Sequence, residues 1–340
     1  MKIVIAGNGR MGRAIAHLLG QASSTVSAQI ELRGFDDSLE DLDADLLVGA
    51  LPGGLGRRTL EAAIRTGTDL IDLTDLDQVN YIKEKERIQS AGVRVLAGCG
   101  FSPGLVNFIT GFELARARQP LQIEILAGSL SEAPHHFPFL WCFEDLVNEF
   151  EEDTFQWIDG RIVQYPPLFG YRTYELFGQP VEDCYCANGF ENIYENPALA
   201  ELTYRVFNPE GFVQFFRHLK AHGLLDTRNL EVTKALLEAR NHANLTGGQV
   251  RIKQGDEDRI WQMSVRAQAN DELNSMQKLT GAFLCSVFVN AYLQGGLPPG
   301  LWLPEALGAR PGLAAAVFEF LRGSGIELKT PDGVLTRGAV

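Results

Sequence analysis

The sequence has 340 residues, of which 45% are hydrophobic and 21% charged, which is ample material for the core of a globular protein. Its 43 acidic residues outnumber the 30 Lys and Arg, giving a net charge of -13, which argues against nucleic acid or an anionic membrane surface as partner. The length suits two domains or one large one. Scattered cysteines, no signal-peptide segment and no apolar run of spanning length predict a cytoplasmic protein.

The first predicted elements are a strand, a glycine-rich turn and a helix. Residues 3–6 form a β-branched run typical of a parallel strand, and apolar residues recur at helical spacing over 11–19, with Gly20 as the expected C-cap. A turn with the pattern Gly-x-Gly-x-x-Gly in this position predicts a dinucleotide site, because it brings phosphate to the helix N-terminus. The alternative is that the glycines only tighten the turn. The predicted cofactor-binding residues here are Gly7, Asn8, Gly9, Arg10, Met11 and Gly12.

Two more strand–helix units follow. Strands are predicted at 45–51, 69–73 and 93–97, with helices at 58–66 and 79–91. This alternation predicts an α/β fold with a Rossmann-like, doubly wound parallel sheet. Ligands of such sheets bind at the carboxyl ends of the strands. The remaining cofactor contacts predicted from this rim are Leu51, Pro52, Thr74, Ser102, Pro103 and Gly104.

The connection after the first helix is short. Only residues 21–44 precede the strand at 45, which leaves room for one strand within 26–35 and a helical turn at 38–42, so one βα unit is missing. The acid expected at the ribose 2′-hydroxyl is Glu31, Asp36 or Asp37, unless these acids are simply solvated. Arg33 offers a partner for a 2′-phosphate, and both NAD and NADP therefore remain open.

The pattern changes in the second half. From residue 121 apolar residues alternate with polar ones, and two hairpins are predicted, at 157–163 and within 250–265. Helices are predicted at 209–222 and 231–240. The final third is helical again, with a buried helix at 279–293 and another at 311–323. A mixed or antiparallel sheet therefore forms a second domain.

Several motifs resemble those of one family over nearly the whole chain. They are Gly-Cys-Gly-Phe-Ser-Pro-Gly-Leu-Val-Asn at 98–107, Asp-Leu-Ile-Asp-Leu-Thr-Asp at 69–75, Asp-Leu-Val-Asn-Glu at 145–149, Leu-Thr-Tyr-Arg at 202–205 followed by Gly211, Thr-Gly at 280–281, and Gly-Leu-Trp-Leu-Pro-Glu at 300–305. Together with the glycine-rich start, they resemble the saccharopine dehydrogenase-like family. That family includes saccharopine reductases, lysine 6-dehydrogenases and carboxynorspermidine synthases.

The resemblance implies a Rossmann domain over 1–119, an inserted mixed-sheet α+β domain for substrate binding and dimerisation over 120–272, and C-terminal helices over 273–340 that return to the first domain. It also implies hydride transfer between NAD or NADP and a carbon–nitrogen bond of an amino-acid-derived amine or imine, carried out by a homodimer. The short connection after the first helix departs from the family pattern.

Chemistry at a carbon–nitrogen bond needs a protonatable group near the nitrogen and a partner for the substrate carboxylate. Asp75 and Cys99 are candidates for the first role; the alternatives are a helix N-cap and a small buried apolar residue. Arg205 matches the arginine of the family's Thr-Leu-Arg segment and is the first choice for the carboxylate, with Arg172 second. The alternative for Arg205 is a solvated ion pair, and the alternative for Arg172 is an aliphatic side-chain stem that packs on aromatic rings.

A loop with a histidine pair is a further candidate. The pair His135 and His136, with Trp141 after it, is expected to roof the substrate pocket, unless this is an ordinary polar loop. The Cys-x-Cys pair at 184–186 and the histidines at 218 and 222 lack the partners that zinc sites need, so no metal is predicted.

Two alternative functions stay open. A shortened dinucleotide half fits a non-catalytic regulatory protein that binds a nucleotide or a partner, and an enzyme similar to dihydrodipicolinate reductase would share the motif at 9–13. Convergence of Arg205, Asp75 and Cys99 on an open pocket favours an enzyme, whereas a pocket filled by the protein's own side chains favours the binding module.

Overall fold

The computed structural model describes residues 1–22, 27–73, 78–187, 189–238 and 242–331. Its first part alternates strands and helices as the sequence predicts. The elements are β1 (Lys2–Ala6), α1 (Arg10–Ala22), β2 (Gln29–Arg33), β3 (Leu46–Gly49), α2 (Arg57–Thr66), β4 (Asp69–Asp72), α3 (Gln78–Lys83), α4 (Lys85–Ala91), β5 (Arg94–Leu96) and α5 (Leu105–Arg116).

The remaining elements form a strand-rich part followed by helices. They are β6 (Leu121–Ser131), α6 (Phe143–Glu149), β7 (Thr154–Ile158), β8 (Arg161–Tyr165), β9 (Arg172–Leu176), β10 (Gln179–Tyr185), β11 (Leu199–Pro209), α7 (Phe212–Ala221), α8 (Thr227–Leu237), β12 (Asn244–Gln254), β13 (Glu257–Ala267), α9 (Ser275–Ser286), a π-helical continuation (Val287–Leu293), β14 (Gly300–Trp302), α10 (Pro304–Gly308), α11 (Pro311–Gly323) and β15 (Glu327–Lys329).

The first sheet is parallel and has the order β14-β5-β4-β3-β1-β2. The chain passes from β2 to β3 through residues 34–45, which contain neither helix nor strand. The predicted loss of one βα unit is therefore confirmed. The helical turn predicted at 38–42 is wrong, because this segment folds as turns. The predicted end of α1 at Gly20 is also wrong: α1 continues to Ala22, and Ala22, like Ile30 of β2, packs against the large core.

The second sheet is mixed and has the order β15-β13-β12-β6-β11-β10-β9, with the β7–β8 hairpin attached to β11. β6 and β11 pair in parallel, while β12 lies antiparallel to β6. The predicted hairpin at 157–163 turns at Asp159 and Gly160, both with positive φ. Fold class is thus confirmed: a parallel Rossmann-like sheet accompanies a mixed sheet with helices.

The two faces of the second sheet have different surroundings. Ile123, Ile125 and Tyr204 belong to the large core that also contains Leu105 of α5 and Phe283 of α9. Leu126 and Phe207 belong to a separate small cluster. Leu126 is one position from Ile125 on β6, and Phe207 is three positions from Tyr204 on β11. Because successive strand residues point to opposite faces, the first group defines an inner face toward α5 and α9, and the second group an outer face.

The C-terminal segment returns to the first sheet. Gly300–Trp302 pairs in parallel with β5, and α10 packs backbone to backbone on α5, where a Cβ on Gly111 would lie 2.1 Å from the Glu305 carbonyl oxygen. The domain boundaries at 119/120 and 272/273 stay a prediction. In the described segments, no helix has the length and apolarity needed to cross a membrane.

Candidate active site

The glycine-rich turn joins β1 to α1, and its three glycines have three different surroundings. Gly7 has φ +127°, and a Cβ there would lie 2.2 Å from the Ala50 carbonyl oxygen; a Cβ on Gly12 would lie 1.8 Å from the Gly7 carbonyl oxygen. A Cβ on Gly9 would meet no atom within 4 Å. Gly7 and Gly12 are thus fixed by the turn and by helix–strand packing, while Gly9 leaves open space at the N-terminus of α1, as a bound pyrophosphate requires.

The other residues of this turn have different environments. The Asn8 carbonyl accepts a hydrogen bond from Arg13 Nη1 at 2.7 Å, and Met11 packs against the large core. Arg10 reaches away from the turn: its Nη1 donates to the Phe139 carbonyl at 2.9 Å, and its Nη2 lies 2.9 Å from Glu238 Oε2. The side chain of Arg10 therefore connects the turn to the chain that follows β6 and to the end of α8.

The end of β2 carries the predicted ribose-binding acids. Glu31 accepts a hydrogen bond from Arg33 Nε at 2.8 Å, and this bond lowers the pKa of the Glu31 carboxyl. Asp37 Oδ2 accepts from the Gly34 amide at 2.6 Å, which closes the turn. Asp36 is exposed beside it. Both Glu31 and Asp37 thus already have partners, a fact that sequence spacing does not reveal.

The next strand ends also lie on this edge. Leu51 is buried and Pro52 is exposed, directly before a short 3-10 turn at Gly53–Leu55. The predicted contact Thr74 and the predicted catalytic residue Asp75 lie outside the described residues. Their assignments stay predictions.

A buried carboxylate at the end of β4 was not among the predicted site residues. Asp72 Oδ2 accepts hydrogen bonds from Thr59 Oγ1 at 2.8 Å and from the Tyr81 hydroxyl, and the side chain has no solvent exposure. A Cβ on Gly49 would lie 2.3 Å from Asp72 Oδ1. A glycine inside an otherwise aliphatic strand was the available sequence signal for this close approach.

Cys99 follows β5 and is fully buried. Its Sγ lies 3.3 Å from the Leu96 carbonyl, and burial together with the nearby Asp72 carboxylate raises the pKa of the thiol well above its usual range. A neutral buried thiol is a poor nucleophile or base. The geometry of Cys99 therefore favours the alternative noted from the sequence, a small buried apolar residue.

The loop 100–104 contacts the inner face of the second sheet. Ser102 Oγ donates to the Tyr204 hydroxyl at 2.8 Å, and the Ser102–Pro103 peptide bond is cis. Gly104 has φ +142°, and a Cβ there would lie 1.8 Å from the Gly100 carbonyl oxygen. The loop is therefore folded tightly against itself and presents Ser102 at the junction of the two sheets.

A second buried polar cluster holds the base of this loop. Asn107 Oδ1 accepts from the Gly104 amide at 2.9 Å, and Asn107 Nδ2 donates to Glu305 Oε1 at 2.7 Å. Asn192 Nδ2 lies 3.4 Å from Glu305 Oε2. Burial raises the pKa of the Glu305 carboxyl. Residues of three distant segments thus meet behind the loop, and only the Pro-Glu motif hinted at this position in the sequence.

The two predicted carboxylate anchors lie on strands of the second sheet. Arg205 follows Tyr204 on β11 and points to the outer face, where it lies 2.6 Å from Asp183 and its guanidinium sits 4.3 Å from the centre of the Tyr185 ring. Arg172 contacts the same Asp183 at 2.9 Å and Glu124 at 3.0 Å. Both arginines thus share Asp183 in one ion-pair network, in which Arg205 is buried and Arg172 is partly exposed. Their roles as carboxylate anchors stay predictions.

The predicted histidine loop borders a cavity of about 420 Å³ beside the start of α1. His136 Nδ1 lies 3.0 Å from Ser131 Oγ, and its ring lies 4.4 Å from that of His242. His135 is exposed with φ 58°, and Trp141 is half-buried against the large core. Of the predicted pair, His136 lines the cavity, whereas His135 is not among its lining residues. Other residues lining the cavity are Arg10, Arg13, Glu238, Asn244 and Asn274.

Comparison with known proteins bears on the fold. No protein-family model matches the chain. Apo saccharopine dehydrogenase (L-Glu forming) from Saccharomyces cerevisiae superimposes with a TM-score of 0.70 over 96% of this chain and 98% of the yeast chain, at 15% identity. The chain has the saccharopine dehydrogenase fold. This confirms, for the fold, the resemblance seen in the motifs.

A curated relative is similar over part of the sequence. Carboxyaminopropylagmatine dehydrogenase from Synechocystis sp. is 23% identical over 211 residues, which is 55% of this chain and 50% of the relative. The match thus spans half the length of that dehydrogenase.

Proposed function

We propose that this protein is an NAD- or NADP-dependent oxidoreductase that acts on the carbon–nitrogen bond of an amino-acid-derived amine or imine. The observation that carries the proposal is the β1–α1 turn, where Gly7 and Gly12 are fixed by packing and Gly9 alone leaves space. The saccharopine dehydrogenase fold supports the same reaction class. The Synechocystis relative is named for a substrate that joins a carboxylate and an amine.

The residues of the turn fit a dinucleotide. The first main-chain amides of α1 have no partners inside the helix, which begins next to the open space at Gly9, so they would bind the pyrophosphate. The nicotinamide supplies or accepts the hydride when bound. The end of β2 would hold the adenosine ribose, and the loop 100–104 would border the nicotinamide end of the crevice, because both lie at carboxyl ends of strands in one parallel sheet.

We place the substrate in the cavity lined by His136 and His242. This cavity begins at Arg10 and Arg13, at the same helix end as the open space at Gly9. Arg13 has no carboxylate within 4.0 Å among the residues whose positions are described, so its charge is available to a substrate carboxylate. Histidine changes charge near neutral pH and suits proton exchange with a substrate nitrogen.

The proposal is tested first by binding and then by turnover. The melting temperature is measured with NAD⁺, NADP⁺ and their reduced forms, and a nucleotide at 100 times its Kd should add about 2.7 kcal/mol to the free energy of unfolding. Reduced-nicotinamide absorbance is then followed with lysine, saccharopine and carboxylated polyamines. Stabilisation without turnover on any amine would favour the binding module, and no stabilisation by any nucleotide would refute the proposal. The predicted homodimer is tested separately by analytical ultracentrifugation.

A further inference from the structure

We propose that Arg58, at the start of α2, binds the 2′-phosphate of NADP(H) together with Arg33, so that the short β2–β3 connection selects NADP over NAD. This inference rests on the proposed function. It concerns a residue that neither the glycine turn nor the family motifs single out. Its basis is the position of two guanidinium groups around the turn that follows β2.

Both arginines hold the same turn. Arg58 donates from Nη1 to the Phe35 carbonyl and from Nη2 to the Asp37 carbonyl at 3.3 Å. Arg33 Nη1 donates to the Ser38 carbonyl at 2.9 Å. In a dinucleotide-binding sheet the adenosine ribose lies at this strand end. The two guanidinium groups therefore flank the place where a 2′-hydroxyl or a 2′-phosphate would lie.

The pairing of charges at this strand end leaves Arg58 as a candidate ligand for a phosphate. Glu31 is paired with Arg33 at 2.8 Å, and the Asp37 carboxylate accepts from the Gly34 amide at 2.6 Å. Asp36 is the acid left to a ribose hydroxyl. Arg58, by contrast, contacts main-chain carbonyls, and in the described part of the chain no carboxylate lies within 4.0 Å of it. A guanidinium without an ion-pair partner suits a dianionic phosphate, which it binds through paired hydrogen bonds.

The missing βα unit explains why Arg58 reaches this place. A complete half of a doubly wound dinucleotide-binding sheet would insert a helix and a strand after β2. Here residues 34–45 turn back toward β3 without either. The N-terminus of α2, which follows β3, consequently lies against the turn after β2, and Arg58 bridges a sequence separation of 23 residues. The shortened connection thus allows the Arg58 guanidinium to reach the end of β2.

The neighbouring arginine provides a matched control. Arg57 carries the same charge on the same helical turn, but its Nη2 lies 2.6 Å from Glu84, and its Nε lies 4.0 Å from Glu61. It makes no hydrogen bond to the turn at 34–38 among the described contacts. Replacing Arg57 therefore removes a positive charge from α2 without changing the proposed phosphate site.

The test is calorimetric titration with NADP⁺, NAD⁺ and adenosine 2′,5′-bisphosphate. We expect the unmodified protein to bind NADP⁺ more tightly than NAD⁺. Arg58→Ala should weaken NADP⁺ and the bisphosphate by about tenfold or more, the loss expected for a charge-assisted contact, and should leave NAD⁺ nearly unchanged. Arg57→Ala should leave all three affinities nearly unchanged. Arg58→Gln, which keeps hydrogen-bonding capacity, replaces Arg58→Ala if circular dichroism shows that the alanine variant is unfolded.

The outcomes separate this inference from the proposed function. Equal or tighter binding of NAD⁺ by the unmodified protein, or an equal loss of NAD⁺ and NADP⁺ in the folded Arg58 variant, overturns the inference and leaves the oxidoreductase proposal standing. No binding of either nucleotide overturns both. An effect of Arg57→Ala as large as that of Arg58→Ala would show general charge attraction and would also overturn the inference.

Discussion

Replacing Gly9 and Gly12 by alanine, one at a time, separates ligand approach from helix packing in the β1–α1 turn. The Cβ of Gly9→Ala meets no atom within 4 Å, and Gly9 is not among the glycines with positive φ. We expect its free energy of unfolding to stay within about 0.5 kcal/mol of the unmodified protein. The new methyl group occupies the space left for the pyrophosphate, so nucleotide affinity should fall.

Gly12→Ala should behave differently. Its Cβ would lie 1.8 Å from the Gly7 carbonyl oxygen, so α1 must move away from β1. Forced overpacking of this kind costs about 1–3 kcal/mol. We expect a lower melting temperature even without nucleotide, together with weaker nucleotide binding.

Thermal unfolding with and without nucleotide distinguishes the two variants. At a nucleotide concentration 100 times the Kd of the unmodified protein, stabilisation is about 2.7 kcal/mol, and a tenfold weaker Kd reduces it to about 1.4 kcal/mol. Gly9→Ala should show the smaller increment on a nearly unchanged melting temperature. A folded Gly9→Ala protein with the full increment would refute the assignment of this space to a pyrophosphate, and an unchanged melting temperature of Gly12→Ala would refute the packing argument.

Three further predictions concern buried residues. Arg205→Ala leaves the buried Asp183 carboxylate with fewer cationic contacts, so denaturant unfolding should show a loss of about 3–5 kcal/mol, with KM nearly unchanged; a raised KM at normal stability would instead support the carboxylate anchor. Because burial raises the pKa of Glu305 above its ordinary value of 4.5, the folded protein binds this proton more tightly than the unfolded chain, and the stability that results below pH 4.5 is lost as pH rises through the raised pKa. Urea unfolding should therefore show that the free energy of unfolding of Glu305→Gln increases relative to that of the unmodified protein as pH rises through this range. A difference between the two proteins that does not depend on pH would contradict this prediction. Cys99→Ala should keep nearly full turnover in steady-state kinetics, since the thiol is neutral and buried; a large loss of kcat in a folded variant would restore its catalytic role.

Local patterns predicted most of the first sheet. The β-branched runs, the glycine turn and the short segment 21–44 each reflect constraints within a few residues, so they indicated the parallel sheet and the missing unit. The end of α1 was misjudged because the packing of Ala22 against the large core overrides the weak tendency of Gly20 to end a helix.

The candidate site was harder to predict because its residues meet across long separations. Arg205 was selected because its segment matches a family motif, but such a match does not show which face of β11 is directed toward the first sheet. That direction depends on how β6, β11 and β12 pack on α5 and α9. The contact of Asn107 with Glu305 joins residues 198 positions apart, and no local pattern encodes such a pair.

The return of the chain to form β14 has a consequence for biosynthesis. Until residues 300–302 have left the ribosome, the β5 edge of the first sheet lacks the strand that pairs with it in the finished protein. An unpaired strand edge is prone to join other chains, and pairing across such a separation is slow because the intervening loop must close first. A fragment that ends before α9 would keep this edge open. The first sheet is therefore expected to be soluble and stable only when the whole second sheet, which lies between β5 and β14 in the chain, has been synthesised with it.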